Sequence, residues 1–155
     1  MKIPFLSRFI DFDMANSAPK ITYSSALGAG LKSRLATMLT GIIADLPDLL
    51  AVTVADLKTG DLLATHHLTG KTNPAKATAY TAAIIRQEQL AVEALGQTDE
   101  SIEDILVTLS SQWHVLRLLP GNRHFVHLMV SSRDTNLAIA RAVIQSHAAA
   151  TAPAA

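Results

Sequence analysis

The sequence predicts an α+β domain: a five-stranded antiparallel sheet with helices on both faces, in the order α-β-β-α-β-β-β-α. Three observations carry this reading. Residues 102–131 hold three apolar strand-like runs separated by short turn segments. Those runs are apolar on both faces, whereas a sheet with one wetted face alternates apolar and polar residues. Segments 31–46 and 73–95, and a third beginning near residue 134, carry the 3.6-residue period of helices. Covering both faces of the sheet makes a three-layer sandwich.

Residues 1–30 read as an extension. Phe5, Phe9 and Phe12 are three of the four phenylalanines in the chain. Their spacing places them on one helical face, a candidate surface for docking on the chain's own domain or on a partner. Only Lys2 and Arg8 would attract an anionic membrane there, and Asp11 and Asp13 oppose it. Residues 16–30 are rich in Ser, Ala and Gly and read as a linker. The domain proper spans 31–147, and 148–155 reads as a flexible Ala/Pro/Thr tail.

Leu31, Leu35, Met38, Leu39, Ile42 and Leu46 form the apolar stripe of the first helix, which ends before Pro47. Residues 50–57 and 62–67 form a hairpin, with Gly60 free to take positive φ in its turn. Asn73 caps a long helix, Pro74 suits its first position, and Gly96 stops it. Alanines spread around this helix, while Ile84, Ile85, Leu90, Val92 and Leu95 add bulk on more than one side. Such a helix is buried on two sides, one against its own sheet and the other against a second copy. The strands span 102–110, 113–120 and 124–131, the last two joined at Gly121-Asn122, a register that sets Leu116 opposite His127 and Leu119 opposite His124. Asp134 is the expected cap of the final helix, whose apolar side carries Leu137, Ala140, Val143 and Ile144.

At 155 residues the chain is sized for one domain, and its 49% apolar content suits a folded core. With no cysteine, disulfides and thiolate ligation are excluded. Net charge is zero and no basic stripe marks a nucleic-acid binder. Charge is uneven, however: residues 87–116 carry six acids and no Lys or Arg, and four Arg follow from Arg117. No apolar run reaches the length of a membrane span, and the chain reads as cytoplasmic.

Catalytic candidates do not assemble. His66 and His67 are adjacent on a strand and point to opposite faces. His114 and His127 share a face, but two His without a third ligand are a poor zinc site. There is no phosphate-cradling glycine loop and no Gly-x-Ser-x-Gly elbow. The expectation is a protein without catalytic activity, cofactor or metal.

Several segments resemble the roadblock/dynein-light-chain domain, including its bacterial gliding-motility-regulator members. These are Ile42-Ile43-Ala44-Asp45-Leu46-Pro47, Val52-Thr53-Val54-Ala55-Asp56 with Gly60, residues Trp113 to Pro120, and Asp134-Thr135-Asn136-Leu137-Ala138-Ile139-Ala140-Arg141. Ala138 departs from the glycine common in that last motif. The resemblance implies a roadblock/profilin-like sandwich and a homodimer in which the second helices pair. That pairing would place Ala79, Ala83, Ile84, Arg86, Gln87 and Leu90 at the interface and join the third strands into one continuous sheet. It also implies a partner, a Ras-like small GTPase, which the protein would regulate or scaffold. The competing expectation is a small-molecule sensor of profilin or PAS-like fold, which needs a cavity of roughly 300–1,000 Å³.

Overall fold

The computed structural model describes residues 19–68 and 73–152. Phe5, Phe9 and Phe12 lie outside the described residues. The elements are β1 (Thr22–Tyr23), α1 (Ala29–Asp45), β2 (Leu49–Asp56), β3 (Leu62–His67), a 3₁₀ turn (Pro74–Lys76), α2 (Thr78–Ala94), β4 (Ile105–Thr108), β5 (Gln112–Leu118), β6 (His124–Ser131) and α3 (Leu137–Ala149). The strands form one sheet in the order β1-β3-β2-β6-β5-β4, with every neighbouring pair antiparallel.

The sheet has six strands, not the five expected. The extra one, β1, falls inside the predicted linker and pairs Thr22 with Thr65 and Tyr23 with Ala64. Two residues are too few to show a strand period. What holds them is tertiary: Ile21, Tyr23 and Leu27 pack on the core, and Ser24 N–H donates to Leu63 O at 2.8 Å.

Other boundaries also move. Asn73 caps as expected, its Oδ1 accepting from Ala75 N–H at 3.2 Å, but the first turn is 3₁₀ and α2 starts only at Thr78. The cap of α3 is Asn136, whose side chain accepts from the amides of Ala138 and Ile139, and not Asp134. Asp134 is instead held by the Ser131 hydroxyl, which donates to it at 2.7 Å. Helix α3 continues through Ala149, and Ala148 and Thr151 are buried beyond the expected boundary at 147.

Alternation along the strands sorts their side chains between two layers. On one face Val52, Val54, Ala64, Val115, Val126, Leu128 and Val130 pack against Leu35, Met38, Leu39 and Ile42 of α1 and Ala140, Ile144 and Ala148 of α3. Full burial of each larger aliphatic is worth about 1.5–3 kcal/mol, so this layer dominates stability. The two helices meet at Gly41, where a methyl group would fall within the His147 ring. His147 Nε2 in turn lies 2.7 Å from Asp45 Oδ2, tying the end of α3 to the end of α1. On the other face a smaller cluster joins Ala55, Leu57, Leu116 and Phe125 to Ala82 and Ile85 of α2.

Candidate interaction surface

Among the described residues, helix α2 is buried on one side only. Thr78, Thr81, Ala82 and Ile85 face the sheet. The opposite side is apolar and open: Tyr80 is 76% exposed, Ile84 42% and Leu90 56%. Tyr80, Ile84, Gln87 and Ala91 recur at helical spacing, so they form a continuous stripe. Of the six residues predicted at a dimer interface, Ala79, Ile84, Gln87 and Leu90 are exposed or partly exposed and Ala83 is half-buried. Arg86 has a local partner: its Nη1 donates to Leu57 O at 2.6 Å, clamping the β2–β3 turn to α2. Gly60 in that turn has φ +78° and lies so close to Ala79 that an added Cβ would sit 2.7 Å from its Cα. The turn therefore needs glycine for conformation and for space at once.

The two sheet edges differ. At one, β1 covers part of β3. At the other, β4 pairs among the described residues only with β5, which leaves its outer edge open to them, with Leu106 and Leu109 exposed beside it. The approach to β4 is pinned. Asp104 accepts from Arg117 Nη1 at 3.3 Å and from Arg141 Nε and Nη2 at 3.1 Å each. One carboxylate thus joins β4, β5 and α3. A groove of about 340 Å³ opens between the C-terminal half of α2 and the β5–β6 turn, lined by Gln89, Val92, Glu93, Ile102, Leu118 and Asn122.

Beneath α2 the sheet carries an unusual polar row. Thr65 lies opposite Thr53, and Thr53 opposite His127. All three are buried, and among the described residues Thr53 Oγ1, Thr65 Oγ1 and His127 Nδ1 make no hydrogen bond. His127 Nε2 lies 3.1 Å from His114 Nδ1, and His114 Nε2 lies 3.1 Å from Gln112 Oε1. Because that oxygen can only accept, His114 carries its proton on Nε2. His127 then donates from Nε2, which leaves its Nδ1 an unprotonated acceptor. Burial, reinforced by His114, pushes His127 down to about 4, and burial lowers His114 as well. Both rings are therefore neutral at pH 7. Among the described residues no group of three or more His, Asp or Glu could hold a metal ion. At the far end of the hairpin, hydrogen bonds from the amides of Thr59 and Lys58 hold Asp56 below the usual carboxylate range.

Solved structures share this fold. A gliding protein, mglB, from Thermus thermophilus aligns with a TM-score of 0.65 at 13% identity, over 87% of this chain and 95% of that one. Myxococcus xanthus MglB aligns at 0.61 and 15% identity, over 70% and 84%. A roadblock/LC7 domain from Streptomyces avermitilis aligns at 0.61 and 12%, over 72% and 88%. This is the roadblock fold. No protein-family model matches the sequence, and no curated protein matches it in sequence.

Within the roadblock fold, β4 is the third strand of the predicted order, and it is the free edge. Sequence reasoning placed the open side of α2 but missed the second edge, where β1 lies. It also missed the polar row, since Thr53 and Thr65 read singly are ordinary strand residues. Their juxtaposition emerges only once the register is known. Among the described residues no helix is long and apolar enough to cross a membrane.

Proposed function

We propose that this chain is a member of the bacterial roadblock family that works as a homodimer and binds a Ras-like small GTPase. In this reading it is a non-enzymatic, cytoplasmic regulator or scaffold. The observation that carries the proposal is the coexistence of two unsatisfied surfaces: the apolar outer stripe of α2 and the free backbone edge of β4. A second copy would satisfy both at once, by helix pairing and by strand addition. The resulting platform would offer the GTPase a broad docking surface. Support for the partner class comes from the motif resemblance and from a fold shared with MglB proteins.

The test is a calorimetric titration against the Ras-like GTPases of the same organism, loaded with GTP or GDP. Micromolar or tighter binding to one state is expected, and absence of binding to both would overturn the reading. Oligomeric state is read separately by light scattering. Ile84→Glu should convert a dimer to a monomer, and an unchanged dimer would remove α2 from the interface. The 340 Å³ groove keeps one alternative open, a small-molecule sensor, since its volume falls at the lower limit of ligand sites. A metabolite that raises Tm in the wild type but not in Val92→Trp would favour that alternative.

A further inference from the structure

The groove between α2 and the β5–β6 turn continues beyond its 340 Å³. Gln89 and Asn122 also line a second hollow of about 200 Å³, between α2 and the β2–β3 turn, so the two run into one another. Helix α2 forms the shared wall. Arg86, Gln89 and Glu93 follow at helical spacing on its groove side, and the helical rise sets the first and last about 10 Å apart. The floor is apolar, with Leu57 at one end and Val92, Ile102 and Leu118 at the other.

The uneven charge of the sequence is laid out along this groove. At one end stand Lys58, Arg86 and Arg123, at the other Glu93 and Glu100. Among the described residues, ion pairs engage neither Lys58 nor Arg86, and neither Glu93 nor Glu100. Arg123 lies 3.7 Å from Asp56 and keeps 79% of its side chain exposed. Hydrogen bonds from Arg86 Nη1 to Leu57 O and Lys58 O hold one positive group in place without neutralising it. Opposite charges at the two ends of one groove make a field that an occupant of the reverse polarity completes.

Shape decides the kind of occupant. A small-molecule site closes over most of its ligand, whereas Glu93, Gln97, Thr98, Glu100 and Asn122 on these walls are all exposed. An extended chain covers about 10 Å in three residues. The side-chain amides of Gln89 and Asn122, midway along, can both donate to and accept from a passing backbone.

We propose that this groove binds an extended peptide segment of another protein, in which an acidic and a basic residue stand about three positions apart with an apolar one between them. The acidic residue meets Lys58, Arg86 and Arg123. The apolar side chain rests on Val92 and Leu118, and the basic residue meets Glu93 and Glu100. The site lies apart from the outer stripe of α2 and from β4, so it requires neither a dimer nor a GTPase.

The test selects a random peptide library, displayed on phage, against the full chain. Enriched peptides should carry this charge pattern and bind the wild type with micromolar Kd. Glu93→Arg/Glu100→Arg, at two exposed positions, should weaken them at least about fivefold. Peptides whose basic residue is changed to an acidic one should recover that loss on the variant. Val92→Trp, which fills the floor, should abolish binding. Enriched peptides without the charge pattern, or unchanged affinity in either variant, overturn the proposal. So does another occupant. An oligomer lost in Val92→Trp would assign the groove to a second copy. A metabolite that raises Tm in the wild type alone, with no peptide enriched, would assign it to a small molecule.

Discussion

Between the sheet and the α1–α3 pair lie seventeen mutually packed buried apolar side chains, and every strand residue buried there is apolar. Between the sheet and α2 the buried apolar cluster has six members, and three buried polar groups without partners sit beside it. The two faces are one residue apart along every strand, yet they are built to opposite standards. One is a dry, close-packed interior in which each side chain is fixed by its neighbours. The other has a single anchoring patch at Ile85 and Phe125, and a polar row that gains nothing from being buried. A face that contributes little to folding can be rearranged at little cost. The difference therefore assigns stability to α1 and α3 and leaves α2 and its surroundings available for association.

The largest expected effect tests the first face. Leu39→Ala, at a fully buried position of α1, should cost about 3–5 kcal/mol in urea unfolding. A cost below about 2 kcal/mol would show that the α1 layer relaxes easily, and the contrast would fail.

The next effect belongs to the second face and to pH. His127 is held neutral down to about 4, from an ordinary value of 6.5. Below 6.5 the unfolded chain binds a proton that the folded chain refuses, so stability is complete above that pH and falls toward 4. Linkage gives a loss of about 2 kcal/mol between pH 7 and pH 5, to which His114, lowered in the same direction, adds. Denaturant melts at the two pH values measure it. His127→Gln should remove most of the fall, and an undiminished fall would assign it to other groups.

The smallest effect is the most pointed. Thr53→Val deletes a buried hydroxyl that has no hydrogen-bond partner among the described residues. Stability should stay constant or rise by up to about 1 kcal/mol. A loss of more than about 1 kcal/mol would mean the hydroxyl is bonded, and the polar row would then be a structural network.

The order of the major elements was legible because helices and strands carry different patterns: Leu35, Met38, Leu39 and Ile42 at helical spacing in one helix, and short near-continuous apolar runs in β2 and β6. The register of β5 on β6 was legible too, since Gly121-Asn122 leaves few ways to close the turn, and Leu116 does face His127. Asp134 and Asn136 are chemically equivalent caps two residues apart. Which one serves is decided by Ser131, which holds the aspartate from the preceding strand. β1 escaped because two residues have no pattern of their own and are ordered by the edge they join. The candidate surface was half legible. An apolar stripe on α2 shows in the sequence, but Arg86 turning back to the Leu57 carbonyl depends on where the hairpin turn lies.

The unequal edges of the sheet have a consequence in the language of polymer chemistry. A strand edge is a reactive end, and a sheet with two open ends is a bifunctional monomer that can add units indefinitely, which is how fibrils grow. Here Thr22 and Tyr23 occupy part of one end with a strand too short to template another. Among the described residues β4 is the longer open end, so the two ends are unequal in reactivity. If two copies joined through β4, as proposed above, the strand exposed at the far end of each would be only two residues long, a poor template for further growth.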